Sequence, residues 1–224
     1  MVRSDFTHFP AIVQRCLDFI FHGDGLLWLQ RLQIFVILAL LSDQVPDSWA
    51  ALFFTIIFMT SCLSSLRFRG AFNGGSDAMT LILLSTLCAR AWLSGTADAT
   101  SACLYYIAVQ SGLSYAISGI AKIREAGWRS GATLKRYLGE PYYDVPTIVS
   151  QLTSPRGVCL VLSWSLIAFE LGAVMLPWTP FLVAPWLLLG AAFHLANFLA
   201  FGLNRFALIW VATYPALWWA LSQH

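Results

Sequence analysis

Long apolar stretches, separated at short intervals by turn residues, run along nearly the whole of this chain and leave room for few folds. They fall roughly at 27–42, 48–66, 78–94, 101–121, 157–176, 181–200 and 204–221. At a rise of about 1.5 Å per residue, stretches of this size approach or cross a hydrocarbon layer about 30 Å thick. A backbone in that layer must satisfy its own hydrogen bonds, and a continuous apolar run does so as a helix. The expected fold is all-α, a polytopic transmembrane helical bundle of about seven spans. Charged residues make up 11% of the 224, against about 25% in a soluble globular chain. Seven spans of about 20 residues use about 140 positions. The remainder suffices for loops and one interfacial segment, not for a second domain.

The breaks carry turn chemistry: Asp43 to Asp47 with Pro46, Arg67 to Asp77, Gly95 to Asp98, the long segment 122–156, Pro177 to Pro180, and Gly202 to Asn204. The last is short enough to be a tight turn rather than a loop. Ahead of the first span, Phe9, Ile12, Val13, Cys16, Leu17 and Ile20 share one helical face, with Gln14, Arg15 and Asp18 opposite. This predicts an amphipathic helix on the membrane surface, ended by Gly23 and Gly25. The chain thus divides into a surface segment, 1–25, and a bundle, 26–224, with one polar loop at 122–156. In that loop a short surface helix is expected near 128–138, followed by an irregular return through Pro141 and Pro146. No cleavable signal peptide is expected, because no continuous apolar stretch precedes residue 26.

Basic residues set the orientation. With the N-terminus in the cytoplasm, 12 of the 13 lysines and arginines fall on the cytoplasmic side, Arg90 being the exception. This is the positive-inside pattern, and it puts the C-terminus outside an inner (cell) membrane. Trp28, Trp49, Trp92, Trp178 and Trp218 lie near span ends, as an aromatic belt does. A net charge of +2 gives no nucleic-acid footprint. The five cysteines stand singly in apolar segments with no metal-ligand spacing, so no metal is expected.

Ionisable residues inside spans cost about 2.5–3.5 kcal/mol on insertion scales and tend to face the bundle interior. Lys122, Glu170, His194 and Arg90 stand out. Ser111, Tyr115, Ser118 and Lys122 follow the spacing i, i+4, i+7, i+11 and share one helical face. Gly112 and Gly119 lie beside it and permit close helix approach. The plain alternative is a packing face whose lysine reaches out to headgroups. Glu170 requires a partner or a proton. By rise per residue, Arg90 and Glu170 both fall about 20 Å from the cytoplasmic edge, so an Arg90–Glu170 ion pair is the structural alternative to a functional Glu170. His194 and Asn197 share a face of the sixth span, where the structural alternative is a helix–helix hydrogen bond. Phe72-Asn73-Gly74-Gly75-Ser76-Asp77 combines turn residues with a helix start, and its free N–H groups suit an anionic or carbonyl group.

These pieces, in this order, resemble the HTTM family, the membrane domain shared by vitamin K-dependent γ-glutamyl carboxylase and smaller bacterial proteins. The resemblance runs from about residue 26 to 218. It rests on Phe72 to Asp77, on Tyr115-Ala116-Ile117-Ser118-Gly119-Ile120-Ala121-Lys122 followed by Trp128 and Gly131, on the span bearing Glu170, and on Phe193-His194-Leu195-Ala196-Asn197 running to Phe206. Its most specific part is Gly119-x-x-Lys122 with Trp128-x-x-Gly131. In the carboxylase, the matching lysine is the base that starts hydroquinone oxygenation. The resemblance therefore implies a quinone or quinol-like lipid as cofactor, with Lys122, Glu170 and His194 as catalytic residues and Asn73, Tyr115, Ser118 and Asn197 around the ligand. Two departures stand out: Gly75 occupies the position of an essential histidine, and the large substrate-binding extramembrane domain has no counterpart. Two function classes follow. One is a quinol-dependent membrane enzyme using Lys122 as base. The other is a non-catalytic accessory or assembly subunit of a larger membrane complex.

Overall fold

The computed structural model describes residues 10–21, 23–42, 45–67, 75–93, 97–143 and 145–222. Asn73 and the Arg3 end lie outside them. Among the described residues the chain is helical throughout, with no strand. The helices are α1 (Ala11–Phe21), α2 (Gly23–Leu41), α3 (Asp47–Arg67), α4 (Ser76–Trp92), α5 (Ala97–Arg124), α6 (Ala126–Arg129), α7 (Ala132–Leu138), α8 (Thr147–Leu152), α9 (Arg156–Gly172), α10 (Val183–Phe201), α11 (Asn204–Ala212) and α12 (Tyr214–Leu221). Among the described residues, four stretches are helical, long and apolar enough to cross a membrane: Asp24–Leu41, Ser48–Ser65, Gly157–Trp178 and Pro180–Phe201. α4 is shorter, at 17 residues. α5 is 28 residues long, but Gln110, Ser111, Ser114 and Ser118 dilute its apolar character.

The chain forms two compact units, one up to Cys103 and one from Leu104 onward. In the first, α1 packs on α2, α2 on α3 and α3 on α4. Val36, Ile57 and Met79 are buried, and burial of side chains this size is worth about 1.5–3 kcal/mol each in water. Two polar contacts tie the helices: Gln33 Nε2 donates to Ser61 Oγ at 3.0 Å, and Trp92 Nε1 to Thr55 Oγ1 at 2.9 Å.

In the second unit, α6 and α7 pack on α9, and α10 packs on α11 and α12. Gly202, at φ 68°, closes α10 with its N–H on Phe198 O at 2.8 Å. That left-handed cap makes the α10–α11 connection a tight corner, as such a short break suggests. Three details differ from the sequence expectation. The stretch 204–221 is two helices rather than one, parted at Thr213, because Pro215 has no N–H to continue the ladder. The region near 128–138 is a hairpin of two short helices, turned at Gly131 (φ 74°). The return expected to be irregular contains α8, which starts after Pro146 (φ −53°), a dihedral suited to a helix entrance.

Candidate functional site

The second unit gathers most of the polar side chains singled out in the sequence. On α5, Ser111 and Tyr115 are buried and Ser118 and Lys122 partly so. The Lys122 side chain leans back along the helix toward its N-terminus, as Cβ geometry dictates. Its Nζ donates to Ser118 Oγ at 2.7 Å and to Glu170 Oε1 and Oε2 at 2.8 and 2.9 Å. Ser118 Oγ also donates to Glu170 Oε1 at 3.2 Å. Side-chain exposure is 16% for Lys122 and 5% for Glu170, so this ion pair is largely screened from water. All three ammonium protons have an acceptor. Within the second unit the partner of Glu170 is thus Lys122.

The resemblance implies that Lys122 and Glu170 share one site, whereas rise per residue alone offers Arg90 as the partner of Glu170. The chain after α5 folds back along α9 instead of spreading over a surface. A Cβ on Gly119 would lie 2.9 Å from Leu171 Cδ2, and one on Gly131 only 2.6 Å from Leu160 N. Ser163 Oγ donates to Trp128 O, and Trp164 Nε1 to Arg129 O at 3.1 Å. The hairpin therefore flanks the first half of α9, and the end of α5 lies level with Glu170 and Leu171. Trp128 also presents its ring to Lys122 Nζ, 5.3 Å from the centroid, within cation–π range. Gly119, Lys122, Trp128 and Gly131 accordingly work as one set: two glycines that admit α9, a cation that pairs with it, and an aromatic that covers the cation.

Two turns back along α5, Tyr115 is the centre of a second cluster. Its hydroxyl lies 2.6 Å from His194 Nε2 and 3.3 Å from Tyr214 OH. Phe169 and Trp186 meet its ring edge-on, with centroids 5.6 and 4.9 Å away. Trp186 Nε1 donates to Phe169 O at 3.1 Å. Gly190 leaves room for Tyr214, since a Cβ there would collide with its hydroxyl. His194 is fully buried and lies parallel to Trp210, with centroids 5.8 Å apart and planes 5° from parallel. His194 Nδ1 and Trp210 Nε1 are buried without a hydrogen-bond partner.

Of the residues expected at the site, Lys122, Ser118 and Glu170 meet in one cluster and Tyr115 and His194 in the other. Asn197 does neither: its Nδ2 donates to Phe193 O of its own helix at 2.9 Å. Asn73 falls outside the described residues. The sequence reading missed Phe169, Trp186, Trp210 and Tyr214. The one signal available was the i, i+4 spacing of Trp210 and Tyr214 in the last apolar stretch. Among the described residues, no three His, Cys, Asp or Glu side chains cluster closely enough to hold a metal ion. No family model, curated protein or solved structure matches this chain.

Chemically, an ammonium–carboxylate pair shielded from water can pass one proton from nitrogen to oxygen. Lys-NH₃⁺ with Glu-COO⁻ becomes Lys-NH₂ with Glu-COOH, with no net charge created. Low dielectric favours the neutral form more than water does.

Proposed function

We propose that this chain is a multi-pass inner-membrane protein of about seven spans, with its N-terminus in the cytoplasm and α1 along the surface, and that it works as a quinol-dependent membrane enzyme. The observation that carries this reading is the inward-turned Lys122 amine, paired with Glu170 inside the bundle. If α9 crosses the bilayer on its apolar stretch, the pair lies within the hydrocarbon region, where a quinol headgroup can reach it. In the neutral form of the pair, the Lys122 amine takes a proton from a quinol hydroxyl: the O–H bond breaks, an N–H bond forms, and the quinolate faces a new ammonium. Glu170 stores the exchanged proton, and Ser118 holds the amine in place. The resemblance to the carboxylase core supports dioxygen as the partner that then oxidises the quinolate. Asn197 has no part in this reading.

A second reading has its own observation. The pair is closed, with every ammonium proton satisfied internally, which is also what a structural clasp between α5 and α9 requires. On that reading the chain is a non-catalytic subunit of a larger membrane complex. Purification from mild detergent separates the two. The enzyme reading expects a solitary protein whose organic extract contains a quinone in near-stoichiometric amount. Stable co-purification with a partner, and no quinone in the extract, would favour the subunit reading instead.

A further inference from the structure

We infer that α8 and the turn before it form an interfacial anchor, with Tyr142, Ile148 and Leu152 set into the boundary between phospholipid headgroups and acyl chains. The inference rests on α9 and α10 crossing the bilayer and is independent of the chemistry at Lys122. Two contacts fix the depth of this segment. At its far end, Cys159 Sγ donates to Thr153 O at 3.2 Å. Cys159 belongs to the first turn of α9, whose apolar stretch begins at Gly157. At its near end, the Tyr143 ring meets Phe201 edge-on, with centroids 5.2 Å apart. Phe201 is the last residue of α10 and of the apolar stretch there. Both ends of 143–153 are therefore level with the ends of two apolar stretches, where hydrocarbon gives way to headgroups in a bilayer. Lys135 Nζ also donates to Ser154 O at 3.2 Å, which ties the segment to α7.

At that depth α8 is two-sided. At about 100° per residue, Ile148, Leu152 and Val149 occupy one arc of the helix, and Ser150, Thr147 and Gln151 the opposite one. The protein makes little use of the apolar arc. Ile148 is 61% exposed, Leu152 64% and the neighbouring Tyr142 87%, while Val149 alone is partly covered. Two of the hydroxyls are bonded locally: Ser150 Oγ donates to Thr147 O at 2.9 Å, and Thr153 Oγ1 to Val149 O at 2.7 Å. Such internal bonding lowers the cost of shallow immersion. An apolar arc beside a polar one, level with the hydrocarbon edge, is the pattern of a helix lying in the interface plane. Tyrosine suits the same level, with its ring in apolar surroundings and its hydroxyl among headgroups. The lipid-facing surface of α9 begins at the same level, so the occupant of the arc is the bilayer itself.

The test is photo-cross-linking of the full chain in phosphatidylcholine nanodiscs and in native membranes. Benzoylphenylalanine replaces Ile148, Leu152, Ser150 or Gln151, one at a time. The same replacement at Val161, an exposed residue of α9, serves as the span reference. All five side chains face outward, so the replacements leave the core intact. Mass spectrometry after illumination reads the fraction of chain carrying lipid. The Ile148 and Leu152 variants should match the Val161 variant to within about twofold, and the Ser150 and Gln151 variants should fall roughly fivefold lower. Lipid on the Val161 variant but not on the Ile148 and Leu152 variants would overturn the anchor and leave the spans standing. Equal lipid capture at all four α8 positions would overturn the two-sided placement. A second copy of the chain or another protein captured at Ile148 and Leu152 in place of lipid would overturn the choice of occupant. No lipid on the Val161 variant would overturn the bilayer crossing of α9, and the anchor with it.

Discussion

Replacing Glu170 with glutamine removes the carboxylate charge but leaves the Lys122 ammonium in place. Breaking a buried ion pair from one side costs about 3–5 kcal/mol, because the surviving charge stays in a poor solvent. Lys122 keeps 16% of its side chain exposed, so the ammonium can turn partway toward water. Ser118 and the Trp128 face remain as partial partners. The cost therefore belongs near the lower limit, about 3 kcal/mol. For a chain of this size each kcal/mol lowers Tm by about 2–4 °C, so Glu170→Gln should melt about 6–12 °C below the parent. Lys122→Met should fall by a similar or larger amount, since Glu170 is the more deeply buried partner. The double change Lys122→Met/Glu170→Leu removes both charges and fills the space with apolar atoms. It should recover to within about 1–2 kcal/mol of the parent. Intrinsic tryptophan fluorescence in detergent, with 10 tryptophans, gives the four melting curves. Additive losses in the double variant, or single variants that melt like the parent, would refute the buried pair as the clasp between α5 and α9.

Other substitutions test the surrounding geometry. Gly131→Ala should cost about 2–4 kcal/mol, from a positive φ and from collision with the Leu160 backbone. Gly119→Ala, whose Cβ would press on the Leu171 side chain at 2.9 Å and on its backbone N at 3.1 Å but at an ordinary φ, should cost less, about 1–2 kcal/mol, and thermal melts give the order. Tyr115→Phe leaves His194 Nε2 and Tyr214 without a shared hydroxyl and should cost about 1–3 kcal/mol by the same measurement. Asn197→Ala should change stability by no more than about 0.5 kcal/mol, because its amide bonds only its own helix.

Much of the bundle is legible from local signals. Apolar run length and Pro or Gly breaks locate α2, α3, α4, α5 and α10 to within a few residues. The stripe on α5 correctly marks its inward face, since helical periodicity alone fixes which side chains align. The direct pairing of Lys122 with Glu170 is not legible from helical rise, which offers Arg90 as the partner of Glu170; only the resemblance groups Lys122 and Glu170 at one site. Rise per residue says nothing of how 122–156 folds. The hairpin at Gly131 runs back beside α9, a tertiary choice that two glycines permit but do not announce. The break at Thr213 was hidden because Tyr214-Pro215 sits inside an apolar run, where hydropathy outweighs the missing N–H of proline. The aromatic shell around Tyr115 had no signal either, because Phe169, Trp186 and Trp210 look like any lipid-facing aromatic in a span.

The decisive measurement is aerobic consumption of a short-chain hydroquinone by the protein in nanodiscs, comparing the parent with Lys122→Met/Glu170→Leu. That double variant serves better than Lys122→Met alone, because it removes the base without leaving Glu170 unpaired. The expected result is hydroquinone loss with the parent and background loss with the folded double variant. Equal rates for the two proteins, or no loss with either, would contradict a catalytic role for the Lys122–Glu170 pair.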